Sequence, residues 1–353
     1  MSSVAPLARK SLLWLSQLQY NETFLYVLKR LFQAALTLLL ASMLSFLIVQ
    51  LSPGNPLDAF KQDPKISSQR LLELKAEFGL SEKKDLRTGF EQYGKWLFQV
   101  VFHGNFGRSI LFGRPVSELI GQRLGATLEL AIVSTFFTWL IAIPLGVIGA
   151  VNQNKLIDRV LRVISYVGQG MPSFVIALLL VILAQYLSPL LPVGGRTSIY
   201  HEDLTWIGQR IDIGWHLILP TIALSITSFA SLQRIARGEM LDILRQDYIQ
   251  TARAKGLSEN RVIYVHALRN AINPLITLLG FEFASLLSGA FIAEFFFNWP
   301  GLGQLILKAV TAKDVYLVMA SLMMGAVMLI VGNLLADLLL KSIDPRIKLS
   351  DLK

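Results

Sequence analysis

Few residues in this chain have the types and spacing that chemistry requires. Gly89 to Trp96 reads GFEQYGKW and satisfies G-x-x-x-x-G-K, the pattern of a loop whose backbone amides and lysine cradle nucleotide phosphates. Such a loop needs Ser or Thr next, to hold magnesium, and a strand before it. Here Trp96 follows and nothing upstream is strand-like, so the chain is not expected to hydrolyse ATP by itself. The four histidines (His103, His201, His216 and His266) have no ligand spacing, and no cysteine is present, so disulfides and thiolate metal sites are excluded. Serines in the apolar segments have no histidine beside them in sequence to act as a base. Acids in apolar segments are functional candidates by default, because a charge in hydrocarbon is costly. Glu129, Glu282, Glu294 and Asp337 are such acids, and no base lies within the same segments to pair with them.

Those apolar segments set the architecture. The chain has 353 residues, of which 53% are hydrophobic and 16% charged, against about a quarter charged in soluble domains. Leu31 to Leu51 contains no charge, and at about 1.5 Å per residue it reaches roughly 31 Å, the thickness of a bilayer core. Further spans are expected at about 130–151, 163–187, 217–233, 271–297 and 315–340. Backbone groups in lipid must pair within their own segment, so all six are expected to be helical. The first apolar run follows a polar arm and precedes other spans, so it is expected to stay as a span and not to be cleaved as a signal.

The net charge of +9 follows the excess of Lys and Arg in cytoplasmic loops and does not call for nucleic acid. The arm, the second and fourth loops and the tail together carry 18 basic residues, while the opposite short loops carry Arg196, Arg210, Lys308 and Lys313. Both termini and the fourth loop are therefore expected in the cytoplasm. The first loop is outside and too long to obey the rule. Within it Ser67 or Ser68 can cap a helix through Leu71, Leu72, Leu74 and Phe78 that Gly79 ends. A second amphipathic helix carries Phe90, Tyr93, Trp96, Leu97 and Val100, then GNFGRSILFGRP reads as turns, and Pro115 can start a helix into the second span. Pro144, Gly146, Gly168, Gly170, Pro172 and Pro220 interrupt spans, which suits helices that bend or line a path and equally suits ordinary transmembrane composition. Ser285 and Gly289 have the spacing of close helix packing.

The stretch DYIQTARAKGLSENRVIYVHALRNAINPL, Asp247 to Leu275, is polar and basic between two spans. Arg237 to Lys255 reads as one helix, stopped by Gly256 in a left-handed conformation with Leu257 folding back. Ser258 can cap a second helix that carries Val262, Ile263, Val265 and Leu268 and ends near Asn270, before Asn273-Pro274 opens the fifth span. A helical hairpin with small residues at its tip can enter a groove on a partner, and its basic surface can equally lie on anionic lipid.

This stretch resembles the cytoplasmic loop of ABC importer permeases, the binding-protein-dependent transport inner-membrane components. Their pattern is E-A-A, three residues, G, nine residues, I-x-L-P. Here Gln250-Thr251-Ala252 takes the first position, Gly256 the glycine and His266 to Arg269 the last, so the acid and the proline are absent. DYIQTARAKGL and HALRNA are similar to the oligopeptide, dipeptide and nickel branch. LSPGNP from Leu51, GRPVSELI from Gly113, ATLELA from Ala126, MPSF from Met171, FNWPGLG from Phe297 and DPR from Asp344 resemble the first permease type of that branch.

The resemblance implies an all-α polytopic membrane protein with six transmembrane helices. Its type I importer (MetI-like) core would cover 123–340, after a cytoplasmic arm (1–30), a first span (31–51) and a large periplasmic loop (52–122), and before a cytoplasmic tail (341–353). It implies an inner-membrane permease that pairs with two ABC ATPase subunits, a second related permease or a second copy, and an external substrate-binding protein. ATP and magnesium would be bound by the ATPases, with no cofactor in this chain. The docking loop would span about 237–270, with Asp247, Gln250, Thr251, Ala252, Lys255, Gly256 and Leu257 at the contact. Dipeptides, oligopeptides and nickel complexes all remain open as substrates. A self-sufficient secondary transporter would need inverted repeats and paired intramembrane charges, and neither is visible.

Overall fold

The computed structural model describes residues 5–51, 69, 86–188 and 190–343. The side chains of 5–25, 86–88, 277, 280–289, 336 and 339–343 lie outside that description, those of Glu282 and Ser285 among them. The expected helix from Ser67 to Gly79, and most of LSPGNP and DPR, also lie outside the described residues.

The described chain is helical, with one isolated antiparallel bridge, Arg108 to Pro115. In order it forms α1 (Ala5–Leu51), α2 (Leu86–His103), α3 (Val116–Val151), α4 (Leu156–Gly170), α5 (Ser173–Tyr186), α6 (Trp206–Leu244), α7 (Asp247–Ala254), α8 (Glu259–Arg261), α9 (Leu268–Phe296), α10 (Leu302–Thr311) and α11 (Val315–Ile343). Among the described residues Tyr26–Leu51, Val116–Val151, Trp206–Leu244 and Val315–Leu335 are long and apolar enough to cross a membrane, and the α4–α5 pair would be a fifth such unit. The expected span at 163–187 is therefore not one straight helix. It breaks at Met171-Pro172, where α4 and α5 meet at 102°. Pro172 has no amide to donate and disfavours helical backbone at Met171, which sits extended at φ −89° and ψ 128°.

Among the described residues α3 and α6 make the most extensive helix pair. Both outrun the spans expected of them, with 36 and 39 residues. At about 1.5 Å per residue these reach roughly 54 and 58 Å, well past a bilayer core. Gly146 permits their close approach, since a Cβ there would stand 2.7 Å from the Ala236 Cβ. That gives one of the span glycines a packing role. α9 lies against both helices, with Leu130, Leu217, Ala290 and Ala293 buried between them, and α11 returns along α9.

α1 lies along α11. At one end Phe46 packs with Tyr93, Trp96 and Met319. At the other, Asp337 accepts from the Tyr26 hydroxyl at 2.5 Å and from Arg30 at 2.9 Å. The segment GFEQYGKW is helix throughout within α2, with Tyr93 and Trp96 buried, so its glycines form no phosphate loop. The following turns hold Gly104, Gly107 and Gly113 at positive φ. They are tied to the start of α11 by Asp314, which accepts from the Ser109 hydroxyl at 2.6 Å and the Leu111 amide at 3.0 Å.

Candidate functional site

The stretch from Asp247 folds as a compact hairpin at one end of the helix bundle. The helix expected from Arg237 to Lys255 is divided there. α6 ends at Leu244, Gln246 is extended at φ −72° and ψ 147°, and α7 starts at Asp247. No Gly or Pro marks this break. It turns α7 so that Ile249 and Ala252 enter a core with Met240 of α6, Val147 and Ala150 of α3, and Ala271 of α9. Burial of that apolar face outweighs the helix propensity of the linking residues.

The glycine stop forms as its sequence predicts. Gly256 has φ +76°, its amide donates to Arg253 O at 2.9 Å, and the Leu257 amide donates to Ala252 O at 3.3 Å. These two bonds, with Leu257 packed on the Ile249–Ala252 face, are the Schellman closure of a helix end. Ser258 occupies the cap position of the next helix without a side-chain cap bond. Glu259 instead pairs with Arg253 across the turn, Nη2 to Oε1 at 2.7 Å, and the Arg253 guanidinium holds the Glu259 carboxyl below its ordinary range. The second helix does not end near Asn270. A π-helical stretch, Val262–Ala267, runs straight into α9, which carries Pro274 inside it. Val262 and Ile263 are buried, while Tyr264 and Val265 are exposed.

Of the residues assigned to the contact, Asp247, Gln250, Thr251, Lys255 and Gly256 are exposed on the hairpin. Ala252 is buried and Leu257 half-buried, so these two support the tip from beneath. The Thr251 hydroxyl donates to Asp247 O at 2.9 Å within its own helix.

Three of the four acids in apolar segments, Glu129, Glu294 and Asp337, have partners that come from outside their own segments. Glu129 accepts from Arg196 at 2.9 and 3.0 Å, a pairing invisible in sequence because the arginine comes from the loop before α6. Asp337 has Arg30 and Tyr26, as described. Glu294 is wholly buried and accepts from the Thr127 hydroxyl at 2.6 Å and from the Gly303 and Gln304 amides at 2.6 and 3.1 Å. It thereby caps the first turn of α10. A Cβ at Gly301 would overlap its carboxylate, which accounts for the glycine in FNWPGLG.

Two polar clusters were not legible in the sequence. Asp212 of α6 bonds His201 Nδ1 at 2.7 Å, and His216 Nδ1 approaches it at 3.3 Å, so two of the scattered histidines meet on one carboxylate. Nearer the hairpin, wholly buried Asp158 of α4 takes a two-pronged bond from Arg237 of α6, at 2.6 and 2.9 Å. Nothing in the sequence singles out Asp158, and Arg237 stands there at the start of an expected cytoplasmic helix. A groove of about 650 Å³ runs between α3 and α6, lined by Phe137, Thr138, Ile141, Thr221, Ile222 and Phe229 among others.

Comparison with known proteins agrees with this arrangement. Residues 142–349 match the family described as binding-protein-dependent transport system inner membrane component. The chain is 40% identical to the oligopeptide transport system permease protein AppB of Bacillus subtilis (strain 168), over 92% of this chain and 99% of that protein. It is 35% identical to the dipeptide transport system permease protein DppB of Escherichia coli (strain K12), over 92% and 98% of the two chains. A probable peptide ABC transporter permease protein, y4tP of Sinorhizobium fredii (strain NBRC 101917 / NGR234), is 34% identical over 92% and 99%. In fold the chain is similar to one from an inward-facing structure of the MetNI methionine ABC transporter, with a TM-score of 0.50, 15% identity, and 64% of this chain and 97% of that one covered. The chain belongs to the binding-protein-dependent transport system inner-membrane components, and is a permease subunit of such a system.

Proposed function

We propose that this permease imports di- or oligopeptides, driven by ATP that separate subunits hydrolyse. The relatives named as peptide, oligopeptide and dipeptide permeases support the substrate class. In this reading the chain crosses the membrane six times, with α9 and the broken α4–α5 pair completing the set and a large periplasmic loop after α1. Both termini and the hairpin are cytoplasmic, in keeping with the distribution of basic residues. Two ATPase subunits, which bind ATP and magnesium, serve this chain and a second related permease or a second copy, and an external binding protein delivers the substrate.

The observation that carries the reading is the hairpin. It has an exposed small-residue tip, closed by its own backbone bonds and seated on the ends of α3, α6 and α9. An ATPase gripping Asp247, Gln250, Thr251, Lys255 and Gly256 would pull on three long helices at once, over Ala252 and Leu257 as support. The test is to tag the chain, extract it in mild detergent and identify what co-purifies by mass spectrometry. An ATPase and a second permease are expected. Gly256→Glu should leave the protein in the membrane and deplete the ATPase. A chain that purifies alone and moves solute in liposomes without ATP would sink the reading.

A further inference from the structure

The hairpin touches α3, α6 and α9 directly, and α4 is reached by another route. Asp158 of α4 is wholly buried against α6, where both carboxylate oxygens are held by Arg237. The Asn154 amide, in the turn between α3 and α4, donates to Asp158 Oδ2 at 2.8 Å, so the same carboxylate fixes that turn. Two turns further along α4, the Ser165 hydroxyl donates to Gln233 Oε1 at 2.5 Å. The backbone of α3 is drawn in as well, since a Cβ at Gly149 would lie 3.4 Å from Arg237 Cδ and 3.6 Å from Asp158 Oδ1. At the far end of α4, a Cβ at Gly168 would lie 3.3 Å from that of Ala230. Three residues beyond Gly168 comes the Met171-Pro172 break, past which α5 departs at 102°.

We infer that Asp158 and Arg237 are positioning residues for transport: they clamp α4 to α6 so that α4 moves as one block with the hairpin-bearing ends of α3, α6 and α9, with the hinge at Met171-Pro172. Parting the pair is costly, because wholly buried Asp158 would lose two charge-assisted bonds and keep only the more distant and exposed Arg162, 3.6 Å from Oδ2 on its own helix. At Gly168, where a Cβ would stand 3.3 Å from that of Ala230, α4 and α6 approach with little slack. Displacement of the hairpin is then delivered to the α4–α5 junction without loss between α6 and α4. The inference rests on the importer reading, and wild-type complex that shows no ATP-driven uptake would remove both together.

The test uses the whole complex in proteoliposomes, reading peptide uptake and ATP hydrolysis in the same sample. Asp158→Asn keeps the shape and one acceptor but loosens the clamp. It should leave assembly and ATP hydrolysis in place and lower uptake per ATP, by roughly 2- to 30-fold for a coupling element. A purely structural residue would lower both activities with the amount of folded complex and leave their ratio unchanged, which overturns the inference. A second variant covers poor folding of the first. The chain has no cysteine of its own, so Gly168→Cys with Ala230→Cys introduces a single pair close enough to bridge. Oxidised complex should transport as well as reduced complex, because the clamp stays closed through the cycle. Arrest by the disulfide would show that α4 must leave α6, and would overturn the block.

Discussion

Glu294 shows how the identity of one residue can be legible while its task is not. The sequence marks it correctly as an acid in an apolar segment. Its partners lie 167 residues earlier at Thr127 and 9 and 10 residues later at Gly303 and Gln304, and only the folded chain brings them together. Glu294→Ala would leave buried donors without an acceptor, at roughly 1–3 kcal/mol each. Thermal unfolding in detergent should show a clear loss of stability, with Glu294→Gln falling less because its amide oxygen still accepts. If Glu294 instead carried a coupling ion, Glu294→Gln would abolish transport at unchanged stability. Gly301→Ala meets the same carboxylate from the other side and should reduce the yield of folded protein, read by fluorescence size-exclusion chromatography. The buried pair of Asp158 and Arg237 is the opposite case, where 79 residues of separation hid a contact made inside the bundle.

At the scale of the element, the hairpin was readable where local chemistry decides and unreadable where burial does. Gly256 followed by Leu257 predicts the left-handed stop and the fold-back, and both occur. The break at Gln246 has no breaker residue, because it is set by what Ile249 and Ala252 must reach. The π-helical Val262–Ala267 stretch was likewise silent, since its composition suits an α-helix equally well. Gly256→Ala keeps the tip small but carries a side chain at φ +76°. It should loosen the turn, by roughly 1–2 kcal/mol, and hydrogen exchange of the α7 amides should speed up accordingly. The Arg253–Glu259 pair adds a pH dependence. The carboxyl titrates lower in the folded hairpin than when unfolded, so its contribution is present above the unfolded value and fades as pH falls through the folded one. Protection of α7, corrected for intrinsic exchange, should decline in that acidic window, and Glu259→Gln should flatten the decline.

For the whole molecule, the apolar runs fixed the existence and order of the long helices, and the periodicity of Tyr93 and Trp96 fixed the buried face of α2. The helix expected to start at Pro115 does run unbroken into the second span as α3, whereas the length of α6 was underestimated because it continues as packed helix on both sides of its apolar window. The attachment of α1 could not be read, since Asp337 lies 307 residues from Arg30. Asp337→Asn should weaken that attachment, and limited proteolysis near the start of α1 should accelerate while the remaining helices stay protected. The closed turn at Gly256 bears on how an assembly of this kind forms. Ordering one backbone residue costs about 1–2 kcal/mol, and the hairpin meets that cost during its own folding. An ATPase that docks there as proposed would draw on surface contacts alone, without a folding step to slow the encounter. Its association rate should be insensitive to agents that promote helix, and differences between tip variants should appear as differences in residence time.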